Sequence, residues 1–409
     1  MRFQSTVAIL SGLLVASPAS AAPSNRQGSG GKCKSQLGGA VYLTTNGQAN
    51  YVVSLGVEKN GMLSKGKMVA TGGCGSASIS SATNMSATAD PLVGQSALTV
   101  AGQNLFAVNA GTSDVSMFSI DGADPTKLVM VGMPAKVPGE FLNTVAASAK
   151  HKIVCAAATG AIAGVSCAPF DETSGIGAMD ALRPIDLGQT TPPVGPTNTV
   201  SQVLFSEDQN TLFAIVKGDP GTPGKTGFVA AFPVTAAQGN TAASVSAQGK
   251  QSSPDNTLVL FGTTILPGTT DLFATDASFG AAVLSVAADG TTTTKARGVV
   301  DGQAATCWTT FSPATKTAFV TDVLVNRLVE MSVEDASILR VLDLSANKQS
   351  GMIDLRAMGS MVYALAPGNN ETATAVVVVD AKAGKQVQVM DLGAMGVTGR
   401  AQGMAIMEL

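Results

Sequence analysis

The sequence carries little charge and few aromatic side chains. Charged residues make up 13% of the 409 residues, aromatic residues 4%, and the net charge is −3. The lysines and arginines are scattered and form no basic stripe that would neutralise phosphates. We therefore expect no nucleic-acid partner.

Histidine is almost missing. The single histidine, His151, lies between Lys150 and Lys152 in SAKHKIVC, in a predicted turn. One histidine cannot build a histidine-based metal centre or serve a Ser-His-Asp triad from an exposed turn, and no cysteine spacing resembles a zinc site. We expect no cofactor and interpret His151 as a solvated turn residue.

An oxygen-only calcium site stays open as an alternative. Such a site needs six to eight oxygen ligands, usually with several carboxylates. The acidic candidates are more typical of turns and caps, and no Asp-x-Asp run groups them. They are Asp114, Asp121, Asp276, Asp322 and Asp354.

A long hydrophobic run is also missing after the N-terminus, so we expect no membrane span. The chain begins with Arg2, an apolar stretch at residues 7–15 (VAILSGLLV) and the small residues Ala19-Ser20-Ala21. This pattern predicts a secretory signal peptide at residues 1–21, cleaved after Ala21. A flexible polar leader at residues 22–39 and a single domain at residues 40–409 would follow. The predicted location is extracellular, with attachment to the cell wall as an alternative.

Five cysteines follow the predicted signal, in a compartment where disulfides persist. Cys155 and Cys167 flank AAATGAIAGVS, and a turn near Gly160 would bring them opposite each other on a hairpin. Cys33 and Cys74 would then close the first repeat and leave Cys307 free. Asn84-Met85-Ser86 and Asn370-Glu371-Thr372 are glycosylation sequons, so we expect a glycoprotein.

A four-strand unit recurs along the chain. QSALTV, NLFAVNAG, VSMFSID and LVMVGM form one copy, and CWTTF, TAFVTD, RLVEMSVED and ILRVLDL another. GMIDLRA begins a third, and less regular copies begin near Phe141, Thr199 and Leu258. Antiparallel four-strand repeats of this length predict an all-β propeller. Paired β-sandwiches would not explain the repeat, and a β-helix would need a shorter one.

The two chain ends complete the seventh unit. AVYLTTN, ANYVVSLGV and KGKMVAT give three strands near the N-terminus, and GMAIME gives one at the C-terminus. Together they predict a seven-bladed propeller whose last strand pairs with its first, which removes the open sheet edge.

The strand motifs resemble those of the lactonase-type seven-bladed propellers, which include 6-phosphogluconolactonase and fungal carboxymuconate lactonizing enzymes. The family motif reads Pro-Arg-His-x-x-Phe-Ser-Pro-Asp-Gly, and WTTFSPATKTAFVTD and QVLFSEDQNTLFAIV keep its Phe-Ser and turn. With its signal peptide and cysteines, the chain looks most similar to secreted fungal 3-carboxymuconate cyclase-like proteins. Some of these are surface antigens.

The resemblance also places a ring of residues at the channel mouth. Trp308 stands where the family has histidine and Cys307 where it has arginine, while the blade near Leu258 does not register. The remaining channel-lining candidates are Gln95, Asn143, Gln202, Met352 and Gln402. Neutral amides cannot move protons near neutral pH, as lactone chemistry requires.

These observations favour a non-catalytic or vestigial propeller that binds a small molecule, a glycan or a surface protein. The first alternative is an active 3-carboxymuconate cyclase or lactonase, with Arg356 and Arg400 as candidate anion contacts. The second is a carbohydrate-binding propeller that uses Gln, Asn and Trp308. Trp308 serves either as a stacking platform or as a plug. We expect a monomer.

Overall fold

The computed structural model describes residues 37–409, which form seven antiparallel sheets. The first strands of neighbouring sheets contact one another around a central channel. The chain is therefore a seven-bladed β-propeller, and the predicted fold class is confirmed. Helix in the described range is limited to the 3-10 turns Ser345–Asn347 and Gly393–Met395. None of the helices there is long and apolar enough to cross a membrane.

Blade 1 joins the two chain ends, as predicted. Its strands, from the channel outward, are Gln402–Glu408, Leu37–Thr44, Tyr51–Glu58 and Leu63–Ala70. Ala40 pairs with Met407 and Tyr42 with Ala405. The first strand begins at Leu37, so sheet pairing starts three residues before the predicted start of the domain at residue 40. Leu37 already pairs with Glu58, which fixes this earlier boundary.

The other six blades follow in chain order, each with its first strand at the channel. Blades 5, 6 and 7 have four strands each. The strands of blade 5 are Leu260–Ile265, Leu272–Asp276, Gly280–Val286 and Thr292–Val299. Those of blade 6 are Thr306–Ser312, Thr317–Asp322, Arg327–Met331 and Ile338–Asp343. Those of blade 7 are Leu355–Met358, Met361–Ala366, Ala375–Asp380 and Lys385–Asp391.

Blades 2, 3 and 4 differ at the outside, where two short segments pair with the third strand in place of one long strand. The strands of blade 2 are Leu98–Ala101, Asn104–Asn109, Asp114–Ile120, Leu128–Met130 and Ala135–Lys136. Those of blade 3 are Leu142–Ser148, Ile153–Ala158, Gly164–Asp171, Gly175–Ile176 and Arg183–Pro184. Those of blade 4 are Val200–Phe205, Thr211–Val216, Phe228–Thr235, Ser244–Val245 and Lys250–Ser252. Split edges therefore occur in blades 3 and 4, whose copies are less regular in the sequence, and also in blade 2, whose copy is regular.

Burial decreases from the second strand of each blade to the fourth. The second strand of blade 2, Asn104–Asn109, is buried along its whole length, because a blade packs on each of its faces. The outer strand of blade 5, Thr292–Val299, alternates buried and exposed positions. The apolar runs that predicted strands are therefore the middle strands, which pack between neighbouring blades.

A disulfide joins Cys155 and Cys167, which are direct partners across the second and third strands of blade 3. Their Cα atoms are 4.0 Å apart. Cys307 is buried with a free thiol, and Cys74 is exposed. Its predicted partner Cys33 lies outside the described residues, as do the signal peptide and most of the leader. The Cys33–Cys74 bridge stays a prediction.

Candidate binding site in the central channel

The channel is crossed by residues 90–96 (DPLVGQS), here called the crossing segment, which lead from blade 1 into blade 2. The carbonyl oxygen of Gly94 accepts hydrogen bonds from Trp308 Nε1 at 3.2 Å and from Gln402 Nε2 at 3.1 Å. The backbone N–H of Gln95 donates to the carbonyl of Ser201 at 2.8 Å. These partners belong to blades 6, 1 and 4, so the segment spans the middle of the ring.

Gly94 is required by this close approach. A Cβ atom at this position would lie 2.8 Å from Asn143 Nδ2 and 2.8 Å from the carbonyl oxygen of Ser201. The first contact is with a side chain, but the second is with backbone that cannot move away. Glycine therefore allows the crossing segment to pack against the inner strands of blades 3 and 4.

The glutamines predicted to line the channel form hydrogen bonds with other groups of the protein. Gln95 donates to the Thr309 carbonyl at 2.9 Å and accepts from the Thr309 N–H at 3.3 Å. Gln202 accepts from the Thr263 N–H at 2.7 Å. Both threonines lie at register irregularities of the inner strands, where the ladder leaves backbone groups to be paired by other means. The two glutamines supply those partners from across the channel.

The remaining predicted channel residues are buried as well. Asn143 donates to the Val200 carbonyl at 2.6 Å. Met352 precedes the first strand of blade 7 and packs in the largest hydrophobic cluster, which also contains Trp308 and Cys307. Its side chain is therefore a core contact.

The structure explains why the motif near Leu258 does not register. In the inner strand of blade 5 the irregular pair is Phe261-Gly262, at the place that Cys307-Trp308 occupies in blade 6. A Cβ atom on Gly262 would lie 2.1 Å from Gln95 Oε1 and 2.6 Å from the Cys307 carbonyl oxygen. Position 262 therefore has no room for a side chain, because Gln95 and the backbone of blade 6 fill the space.

Trp308 is fully buried at the centre of the ring. Its ring meets Phe261 edge to face, with centroids 4.9 Å apart, and its Nε1 is bonded to Gly94. No part of the indole is exposed to solvent. The geometry is that of a plug.

Two buried charges beside the plug were missed by sequence reasoning. Asp90 Oδ1 accepts hydrogen bonds from the Gly94 N–H at 3.2 Å and from Gln402 Nε2 at 3.1 Å. Lys217 directly follows the second strand of blade 4, donates from Nζ to the Val93 carbonyl, and stands 4.1 Å from the centroid of the Phe261 ring. Within the described residues its ammonium makes no ion pair.

Burial is the main cause of the shifted pKa values of Asp90, Lys217 and Cys307. It raises the pKa of Asp90 to about 6, against the attraction of Lys217. It lowers the pKa of Lys217 to about 8, against the attraction of Asp90. Burial, reinforced by the Asp90 charge, raises the pKa of the Cys307 thiol well above its ordinary value, so Cys307 is no thiolate nucleophile at neutral pH.

The other acidic candidates are held by backbone N–H groups and bases. Asp276 caps Leu258 and Val259, and Asp322 caps Ala304 and Ala305. Asp354 accepts from the Leu355 and Met404 N–H groups at 2.7 and 3.0 Å, Asp114 pairs with Lys136 and Asn109, and Asp121 caps a turn. Over residues 37–409, no three His, Cys, Asp or Glu side chains are grouped to hold a metal ion.

The two predicted anion contacts differ. Arg356 is tied to Asp354 Oδ1 at 3.0 Å and to Ser96 Oγ at 2.9 Å, and it lines a hollow of about 220 Å³ with Gln95 and Gln202. Arg400 is half-buried and does not line that hollow. The structure therefore places one arginine near the channel amides and gives it an internal carboxylate partner.

His151 lies in the turn between the first two strands of blade 3, and its Nε2 is 3.1 Å from Asn210 Oδ1. The sequons lie on exposed turns at Asn84 and Asn370.

A second cavity, of about 310 Å³, lies beside the crossing segment at the end of the channel where the inner strands begin. Residues 78–89, here called the strap, cover it. The strap is anchored by parallel pairing of Ile79–Ser80 with Val194–Gly195. Opposite the strap, the walls include Cys307, Trp308, Val323 and Leu324, and Asp90 lies at the edge of the crossing segment.

Comparisons with known proteins agree with the fold. No protein-family model matches the sequence, and no curated protein matches it. The structure is similar to that of a periplasmic gluconolactonase, PpgL, from Pseudomonas aeruginosa, with a TM-score of 0.60, 12% identity, and coverage of 90% of this chain and 98% of that one. A provisionally assigned 6-phosphogluconolactonase from Bacteroides fragilis gives a TM-score of 0.51, 13% identity, and coverage of 91% and 98%.

The chain has a lactonase-type propeller fold. At 12 to 13% identity these likenesses concern the fold alone.

Proposed function

We propose that this chain is a secreted binding protein without lactonase or cyclase turnover, acting as a monomeric glycoprotein at or outside the fungal cell surface. The observation that carries the proposal is the crossing segment. It fills the channel, and the amide Nε2 groups of Gln95, Gln202 and Gln402 donate hydrogen bonds to other groups of the protein. A substrate at the centre would have to displace these internal bonds.

Charge supports the same view. Opening or closing a carboxylated lactone requires cationic groups for the substrate and a proton donor or acceptor. The charged side chain that lines the strap-covered cavity is the carboxylate of Asp90, which repels such a substrate. Arg356, at the hollow beyond the amides, already pairs with Asp354.

Secretion rests on the signal sequence at residues 1–21, with the Cys155–Cys167 disulfide as independent support, because structural disulfides persist in oxidising compartments. Glycosylation rests on the exposure of Asn84 and Asn370. A sugar-binding role is less well supported than a general binding role, since Trp308 is buried and no part of its ring is exposed to solvent.

One observation favours a second candidate, hydrolysis of an uncharged lactone. Asp90 lines a cavity, and its raised pKa of about 6 is suited to a general base near neutral pH. The likeness to PpgL gives this candidate a fold precedent.

Turnover assays separate the two candidates. We would measure 3-carboxymuconate and δ-gluconolactone conversion by the wild-type protein and by Asp90→Asn, Arg356→Ala, Arg400→Ala and His151→Ala. Binding without catalysis predicts uncatalysed background rates in all five proteins. Losing a general base costs about a hundred- to ten-thousand-fold. Fast wild-type turnover that falls by this amount in Asp90→Asn would overturn the proposal in favour of lactone hydrolysis.

A further inference from the structure

The strap-covered cavity carries polar atoms that the fold leaves without partners. Asp90 is 8% exposed, and both of its described hydrogen bonds end on Oδ1, so Oδ2 has no partner among the described residues. Ser78 is 1% exposed, lines the same cavity, and its Oγ is buried without a hydrogen bond. Buried polar atoms are normally paired. The unpaired Ser78 Oγ, in the same cavity as the carboxylate of Asp90, indicates a missing ligand.

The remaining walls define the body of that ligand. They are mainly apolar, from Val93, Pro196, Cys307, Val323 and Leu324. The volume of about 310 Å³ is at the lower end of the range of small-molecule sites, roughly 300–1,000 Å³. A compact hydrophobic group fits these walls.

The charges define its polar end. An ionised carboxylate is an acceptor without a proton to donate, so the group beside Asp90 Oδ2 must be a donor. Lys217, the nearest described cation, points to the Val93 carbonyl and the Phe261 ring and does not line the cavity. A donor in direct contact with Asp90 lies closer to the carboxylate than to this ammonium, so a positive charge is favoured and a negative one is excluded.

We propose that the cavity under the strap binds a small organic ammonium, with its N–H groups on Asp90 Oδ2 and Ser78 Oγ and a compact apolar body against Val323 and Leu324. This inference rests on the proposed binding function and names its ligand class. Leu324 is 68% exposed at the cavity rim, which leaves an entry beside the strap.

Binding should depend on pH in a defined direction. The titratable and charged groups around Asp90 are Lys217, Asp354 and the Cys307 thiol. Asp90 must be ionised to hold the ammonium, and its pKa is raised to about 6. Affinity is therefore expected to fall as the pH drops from 7 to 5.

Calorimetric titration with three probes of one shape tests the proposal. Benzylammonium, benzyl alcohol and benzoate present a cation, a neutral donor and an anion on the same ring. We expect benzylammonium to bind, benzyl alcohol to bind at least about tenfold more weakly, because charge-assisted hydrogen bonds are stronger, and benzoate to give no heat. Equal binding of all three, or no binding of benzylammonium, overturns the proposal.

Two variants and a control locate the site. Asp90→Asn keeps the shape and removes the charge, and should weaken benzylammonium at least about tenfold. Ala305→Leu fills the cavity without touching the charge, and should abolish binding even if Asp90→Asn folds poorly. Asp121→Asn, at an exposed turn, should bind like wild type. Unchanged affinity in Ala305→Leu overturns the site.

Failure of the proposed function can be distinguished from failure of the proposed ligand class. Lactone turnover would contradict binding without catalysis whatever the calorimetry shows. Absent benzylammonium binding in a protein without turnover would contradict only the ligand class.

Discussion

Trp308 Nε1 donates a hydrogen bond to the Gly94 carbonyl oxygen over 3.2 Å and so fastens blade 6 to the segment that crosses the channel. The bond pairs the single N–H donor of the indole, and the ring of Phe261 packs against the indole. Gln402 reaches the same carbonyl from blade 1. A single backbone oxygen thus collects donors from two blades, which makes the crossing segment part of the core.

Gly94→Val should destabilise the fold. Its Cβ would meet Asn143 Nδ2 and the Ser201 carbonyl oxygen, each at 2.8 Å. Overpacking of this kind costs about 1–3 kcal/mol, measured as the free energy of unfolding in urea. Gly122→Ala is the matched control, because a Cβ there meets nothing within 4 Å. Equal stability of both variants would show that residues 90–96 do not pack as described.

Deleting residues 403–409 should open the ring. These residues form nearly all of the innermost strand of blade 1, paired with Leu37–Thr44. Their loss leaves the channel-facing edge of strand Leu37–Thr44 without a partner. Unpaired strand edges promote association between molecules. We expect that the truncated protein is not secreted, or that it is secreted and elutes as an aggregate in size-exclusion chromatography. A truncated protein that stays monomeric with an unchanged Tm would contradict closure through the C-terminal strand.

Stability should rise as the pH falls from 7 to 5. Burial raises the pKa values of Asp90 and Asp354 to about 6. A carboxyl with a raised folded-state pKa contributes stability at low pH that is lost as the pH rises through that value, up to about 3 kcal/mol per group. Lys217, with its pKa lowered to about 8, does not oppose this trend, since it is protonated in both states across the window.

Thermal unfolding across this pH range tests the trend. Asp90→Asn should flatten the pH dependence by about half, because Asp354 continues to titrate. A wild-type Tm that falls on acidification from pH 7 to 5 would contradict the burial of these carboxyls.

Removing the Cys155–Cys167 bridge should cost about 2–4 kcal/mol, because the cross-link closes a loop of 12 residues in the unfolded chain. The double variant to alanine, followed in guanidinium, measures this cost. Gly122→Ala, where an added Cβ meets nothing within 4 Å and both predicted bridges stay intact, is the control. Peptide mapping without reduction should recover Cys155 joined to Cys167. Finding Cys307 in a disulfide would contradict its burial as a free thiol.

The sequence predicts the architecture well because the fold repeats. Each blade contributes the same apolar strands, so a regular copy such as CWTTF to ILRVLDL sets the pattern for the irregular ones. The same repeat register leads to Gln95 and Gln202, which line one hollow, and to Trp308, which bonds to the crossing segment. It also leads to Met352, which packs in the same hydrophobic cluster as Trp308.

Asp90 and the strap could not be found in this way. They lie between blades 1 and 2, outside the repeat, so no second copy indicates their place. Lys217 carried no repeat signal either, because the repeat does not fix the residue at the end of the second strand. That residue is Asn109 in blade 2, Ala158 in blade 3, Val216 in blade 4, Asp276 in blade 5, Asp322 in blade 6 and Ala366 in blade 7.

Because Trp308 is the single tryptophan of the chain, fluorescence quenching reports directly on whether the channel is closed. The crossing segment leaves its indole fully buried. We predict blue-shifted emission and little quenching by iodide in the folded protein, with free quenching after unfolding in guanidinium. Emission near that of free tryptophan, quenched by iodide in the folded state, would mean that the channel is open and would contradict the account.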